Sequence, residues 1–144
     1  MNPKNLELDH VGVVVKSIEE SREIYCNLLG FIVDSEVINV TNQKILCQYL
    51  IHTCTNIQVQ LIEPISENSP YYNALLMGGG PNHLCFSVDD LDHKLQEAKG
   101  AKCLIVTPPF RGEGVDNRRA AFIYSPKLGL TELVEGEKRI IGCT

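Results

Sequence analysis

The sequence predicts an α+β fold in which two βαβββ modules form a curved mixed β-sheet cavity with helices outside. Three observations carry this. The order strand, helix, three strands occurs twice within 144 residues. The two copies keep register: His10 and His83 stand 73 residues apart, each in the strand that opens its half, and Gln60 and Glu132 stand 72 apart, each in the strand that closes it. The short links between the three strands after each helix suit antiparallel meanders rather than the long crossovers of a doubly wound parallel sheet. Module one spans about residues 6–64, a connector 65–81 and module two about 82–136, within one domain over residues 1–144.

The first apolar run, LDHVGVVV, is rich in β-branched residues and reads as a strand. Ser17 followed by Glu20 has the spacing of a capping box and opens a helix. That helix runs to about Leu29, with Ile18, Ile24 and Leu28 on its apolar face, and Gly30 supplies the stop. FIVDSEVI, KILCQYLIH and NIQVQLIEP follow as strands, separated by polar turns near 40–43 and 53–56. In the connector, Pro70 opens a short helix over Tyr71–Met77, and Gly78–Gly79–Gly80–Pro81 ends it flexibly. Then NHLCFSV is a strand, Asp89–Asp90 caps a helix that Gly100 closes, AKCLIV is a strand, PPFRGEGVDN a loop, and RRAAFIYSP and LGLTELVEG are strands.

Composition narrows the function. Hydrophobic residues at 44% and charged residues at 22% allow an ordinary core, and the net charge of −5 has no basic cluster of the kind that tracks nucleic-acid phosphates. No apolar run approaches the roughly 20 residues of a membrane span. The opening MNPKNLELDH has neither the basic nor the apolar region of a secretory leader, so a cytoplasmic location is expected. The cysteines Cys26, Cys47, Cys54, Cys85, Cys103 and Cys143 form no C-x-x-C pair and are expected to be reduced.

Strand alternation puts His10 on a face with Gly12 and Val14, away from Val11, Val13 and Val15. His83 shares a face with Cys85 and Ser87, opposite Leu84, Phe86 and Val88. Gln58 and Gln60 share a face, and Glu132 alternates with Leu133. Each half thus offers one imidazole and one side-chain oxygen donor. Two nitrogens and two oxygens suit a borderline divalent ion such as Zn, Co, Ni or Mn. The alternative is two satisfied core histidines and a surface glutamine.

The stretches LDHVGVVVKSIEESREIYCNLLGF, VQLIEP, NHLCFSVDDLD and AFIYSPKLGLTELVE, which together span residues 6–136, resemble the vicinal-oxygen-chelate superfamily of glyoxalases, bleomycin-resistance proteins and extradiol dioxygenases. Within it, VQLIEPISENSP and the Gly-rich entry into NHL are most similar to the methylmalonyl-CoA epimerases. The resemblance implies one metal held by His10, Gln60, His83 and Glu132, which polarises the carbonyl of a thioester or α-oxo compound while Glu132 moves the adjacent proton. A second base of the epimerases falls at Asn42, and the first-strand Arg of glyoxalase I at Val14. Around Gly112 and Gly114, the loop carrying Arg111, Arg118 and Arg119 could close over an anionic substrate, or be an ordinary hairpin connection. The expected function is therefore a metal-dependent isomerase or lyase, epimerase-like, acting on an acyl-CoA or glutathione thioester, with Glu132 catalytic and Arg111, Arg118 and Asn42 toward the substrate. The alternatives are lactoylglutathione lyase activity and a non-catalytic, ligand-sequestering resistance protein. A homodimer is also expected.

Overall fold

The structure, a computed structural model, describes residues 6–137, which fold as two compact units: His10–Asn82, and residues 83–137 together with residues 6–9. Among the described residues no helix is long and apolar enough to cross a membrane.

The first unit contains most of β1 (Glu7–Val14), then α1 (Ile18–Leu29), β2 (Phe31–Val33), β3 (Ile38–Val40), β4 (Ile45–His52), β5 (Gln58–Pro64) and α2 (Tyr72–Leu76). β1 runs parallel to β5, β4 is antiparallel to β5, and β2 and β3 both pair with the far edge of β4. FIVDSEVI is therefore two strands, where the sequence predicts one. The break has a polar cause: the Ser35 hydroxyl accepts the Tyr49 backbone N–H at 2.9 Å, and the Ser35 carbonyl accepts from Gln48 Nε2 at 2.9 Å. Side-chain bonds replace ladder bonds there, and the strand is interrupted.

α1 begins and ends as expected. Ser17 Oγ accepts the Glu20 N–H at 3.2 Å, and Gly30 takes the left-handed conformation at φ +80°. Its packed face differs from the expected one. Ile18 joins Val13, Leu50, Val59 and Leu61, while Tyr25 packs edge-on against Phe31. Ile24 and Leu28 instead remain 58% and 75% exposed. Ile18, Arg22 and Tyr25 follow the i, i+4, i+7 stripe that faces the sheet, and Ile24 and Leu28 lie off it. On the other face of the sheet, Val14, Val40, Ile45, Cys47 and Ile62 are covered by Tyr71.

Within the glycine run after α2, one residue passes close to β1. Gly79 has φ +69°, and a Cβ there would sit 2.7 Å from the Val14 carbonyl oxygen. Only glycine lets the backbone pass this close.

The second unit contains the rest of β6 (Gly80–Val88), α3 (Leu91–Gly100), β7 (Leu104–Arg111), β8 (Arg119–Ser125) and β9 (Gly129–Glu135). β6 runs parallel to β9, and β8 lies between β9 and β7, antiparallel to both. This repeats the β1–β5–β4 order of the first unit. Asp90 caps α3 by accepting the His93 N–H at 3.0 Å. α3 ends at Gly100, as the sequence predicts, and Lys102 at φ +65° makes the turn beyond it while the Cys103 N–H reaches back to the Ala98 carbonyl. PPFR also differs from expectation, being strand rather than loop. Pro108 and Pro109 are accommodated because, among the described residues, β7 pairs only with β8 and its register shifts between Thr107 and Phe110. The core of this unit is Val88, Leu91, Leu95, Ala98, Ala121, Ile123 and Leu133.

Candidate metal centre and its surroundings

Across β1 and β5, Gly12 pairs with Gln60, and across β5 and β4, Gln60 pairs with Tyr49. His10, two residues before Gly12, shares that face and meets the Tyr49 ring edge-on at 5.3 Å and 86°. The second unit repeats this position by position. Cys85 pairs with Glu132 and Glu132 with Phe122, while His83, two residues before Cys85, meets Phe122 edge-on at 5.1 Å and 82°. His10, Gln60, His83 and Glu132 are all buried.

Each unit therefore presents one buried imidazole and one buried oxygen donor, with an aromatic ring flanking the imidazole. In the second unit His83 Nε2 lies 3.4 Å from Glu132 Oε1. Buried carboxylates and imidazoles are costly unless paired or bound to a cation. An imidazole and a carboxylate this close suit neighbouring positions on a divalent ion.

The Cys85 thiol is fully buried, on the residue paired with Glu132 across the β6–β9 ladder. Burial pushes its pKa well above the usual thiol value, the carboxylates of Glu132 and Asp9 push it further, and Arg118 opposes them. Asp9, also fully buried, is held by Arg118 Nη1 at 2.9 Å. Arg118 also donates to the Val115 carbonyl at 2.9 Å and the Glu137 carbonyl at 2.8 Å.

The remaining predicted residues are exposed or half-buried. Asn42 is exposed in the 3₁₀ turn Thr41–Gln43. Arg111 is exposed at the end of β7 and donates to the Asn117 carbonyl at 2.9 Å. Arg119 pairs with Asp92 at 3.0 Å, and this ion pair holds the exposed Asp92 carboxyl below its usual range. Gly112 and Gly114 are buried, and a Cβ on Gly112 would meet Val115 at 3.0 Å and Phe110 at 3.2 Å. The Arg-rich segment thus has the character of a packed hairpin turn.

Sequence reasoning missed Asp9, Tyr49 and Phe122 as neighbours of the predicted donors, and placed Cys85 on the His83 face without giving it a role. Tyr49 and Phe122 are 73 residues apart, so the repeat itself carried the signal for them. Nothing in the sequence marks Asp9 beyond its place beside His10. The five described cysteines are free thiols, and Cys143 lies outside the described residues.

The sequence pattern of the Glyoxalase/Bleomycin resistance protein/Dioxygenase superfamily matches residues 9–122. The mitochondrial methylmalonyl-CoA epimerase of Dictyostelium discoideum is 27% identical over 135 residues, 92% of this chain and 78% of that protein. The crystal structure of methylmalonyl-CoA epimerase from Mycobacterium tuberculosis superposes with a TM-score of 0.77 at 30% identity, over 94% of this chain and 92% of that one. A Streptomyces coelicolor methylmalonyl-CoA epimerase in complex with 2-nitronate-propionyl-CoA gives a TM-score of 0.77 at 25% identity, over 92% and 99% of the two chains.

Proposed function

The chain belongs to the glyoxalase/bleomycin resistance protein/dioxygenase superfamily, and on that premise we propose that it is an isomerase that moves the proton beside the thioester carbonyl of an acyl-CoA. The observation that carries this reading is the repeated register that buries His10 with Gln60 in one unit and His83 with Glu132 in the other. These four residues would hold one divalent ion. Bound there, the ion would supply Lewis acidity at the thioester oxygen and favour loss of the neighbouring proton.

Glu132 is the one carboxylate in the set, so it alone can take that proton. Its burial limits competition from water, and its neighbours limit its rotation: His83 lies on one side and the Cys85 thiol across the strand pair. The names of the relatives support an acyl-CoA, and the Streptomyces coelicolor relative was solved with a CoA thioester analogue. Asn42 has no basic form, so a second base at that position is missing, and the exchange is expected to be faster from one face of the substrate than from the other.

The test is solvent-deuterium incorporation into methylmalonyl-CoA by metal-loaded protein, with lactoylglutathione formation measured alongside. Exchange into the CoA thioester is the expected result. Turnover of the glutathione substrate alone would point to a lactoylglutathione lyase, and tight ligand binding without turnover of either would point to sequestration. Either outcome would overturn the epimerase-like reading.

A further inference from the structure

The two units repeat each other's register around their oxygen donors, and the residue facing the donor changes along with the donor. The residue two places after the histidine, directly across the ladder from the oxygen donor, is Gly12 opposite Gln60 in the first unit and Cys85 opposite Glu132 in the second. The difference has a chemical logic. A glutamine amide carries its own N–H donors, whereas an ionised carboxylate only accepts. A donor placed beside it is useful at Glu132 and redundant at Gln60. Cys85 is fully buried and Glu132 nearly so, leaving few rotamers by which either could leave the other. Val134 and Ala120 pack against Cys85 from the same core and hold the thiol in place.

We propose that Cys85 is a positioning residue for Glu132: its S–H donates to one carboxylate oxygen and so fixes how the carboxylate is presented. A thiol suits this role better than a hydroxyl or an ammonium. It is a weak donor, so it orients the carboxylate without strongly suppressing its basicity. The inference rests on the proposed role of Glu132, and its test separates the two.

The first measurement needs no activity. In metal-free protein, the infrared spectrum of wild type minus that of Cys85→Ser isolates the Cys85 S–H stretch, and wild type minus Cys54→Ser gives the exposed Cys54 thiol as reference. The Cys85 band is expected at lower frequency than the reference. It should rise when the same subtraction is made in a Glu132→Gln background, and stay in place in a Glu63→Gln background. A band that does not respond to Glu132→Gln overturns the proposal.

The second measurement is kinetic. Cys85→Ala is expected to lower kcat for thioester proton exchange by about fivefold to tenfold, the scale of one modest hydrogen bond, with KM and metal content unchanged. Cys85→Ser, which restores a donor, should recover most of that loss. Equal kcat in all three proteins overturns the positioning role. If wild type exchanges no thioester proton, the proposed function fails, while the infrared result still decides the hydrogen bond. Should Cys85→Ala fail to fold, the comparison of Cys85→Ser in both backgrounds remains decisive.

Discussion

The Glu63 carboxylate at the end of β5 accepts the backbone N–H of Ile18, the first residue of α1, at 2.8 Å. Glu135 at the end of β9 does the same for Leu91 of α3 at 2.9 Å. In both units the closing strand thus caps the helix that follows the opening strand. A carboxylate there satisfies an orphan helix donor and complements the positive end of the helix dipole. Glu63→Ala is expected to cost about 1 kcal/mol, the usual scale of a lost helix cap. Urea unfolding measures it, and an unchanged midpoint would show that the bond contributes nothing.

One divalent ion per chain is expected on elemental analysis of the wild type, and none in His83→Ala. Removing the ion with a chelator should lower the unfolding midpoint, because a ligand bound only by the folded chain stabilises it by about 2.7 kcal/mol at a hundredfold excess over Kd. Equal metal content in wild type and His83→Ala would remove His83 from the ligand set.

Glu132→Gln keeps an oxygen donor and removes the base. With metal occupancy checked, it should slow thioester proton exchange on the order of 10²–10⁴-fold. Asn42→Glu, which adds a carboxylate in the 3₁₀ turn after β3, should raise the ratio of epimerisation to single-face exchange. An Glu132→Gln protein that exchanges as fast as wild type would assign the proton transfer to another group.

Arg118→Met leaves the Asp9 carboxylate buried without its cation, at an expected cost of roughly 3–5 kcal/mol. Asp9→Asn combined with Arg118→Met should recover a large part of this, because the uncompensated charge is gone. A double variant as unstable as Arg118→Met alone would show that the guanidinium matters through its bonds to the Val115 and Glu137 carbonyls instead.

Gly79→Ala forces an L side chain to φ +69° and presses its Cβ on the Val14 carbonyl. Gly80→Ala meets the first difficulty at φ +94° but has open space around the new methyl. The left-handed strain alone costs about 1–2 kcal/mol, so thermal unfolding should show Gly79→Ala as the more damaging of the two. Equal losses would mean that the backbone there can yield.

The repeat was legible because duplication preserves spacing, and spacing survives when side chains change. His10, Gln60, His83 and Glu132 could be paired by counting, and Ser17, Gly30 and Asp90 could be read as caps because a cap depends on its nearest neighbours in sequence. Strand interruptions were not legible. Ser35 breaks FIVDSEVI only because Tyr49 and Gln48, over a dozen residues away, arrive to bond it. The packed face of α1 was misread for a related reason: Ile24 and Leu28 are apolar, but the sheet meets the stripe of Ile18, Arg22 and Tyr25.

The sequence by itself determined the α+β class, the two-module register, the family and the buried donor of each opening and closing strand, since all of these rest on periodicities of two, 3.6 and about 72 residues. The tertiary structure decided which residues surround those donors. Arg118 lies far along the chain from Asp9, Cys85 from Glu132, and Tyr49 from His10, so no local pattern relates them. They meet through the strand pairing and packing of the folded units, where the cost of burying a charge or an imidazole gives each of these contacts its consequence.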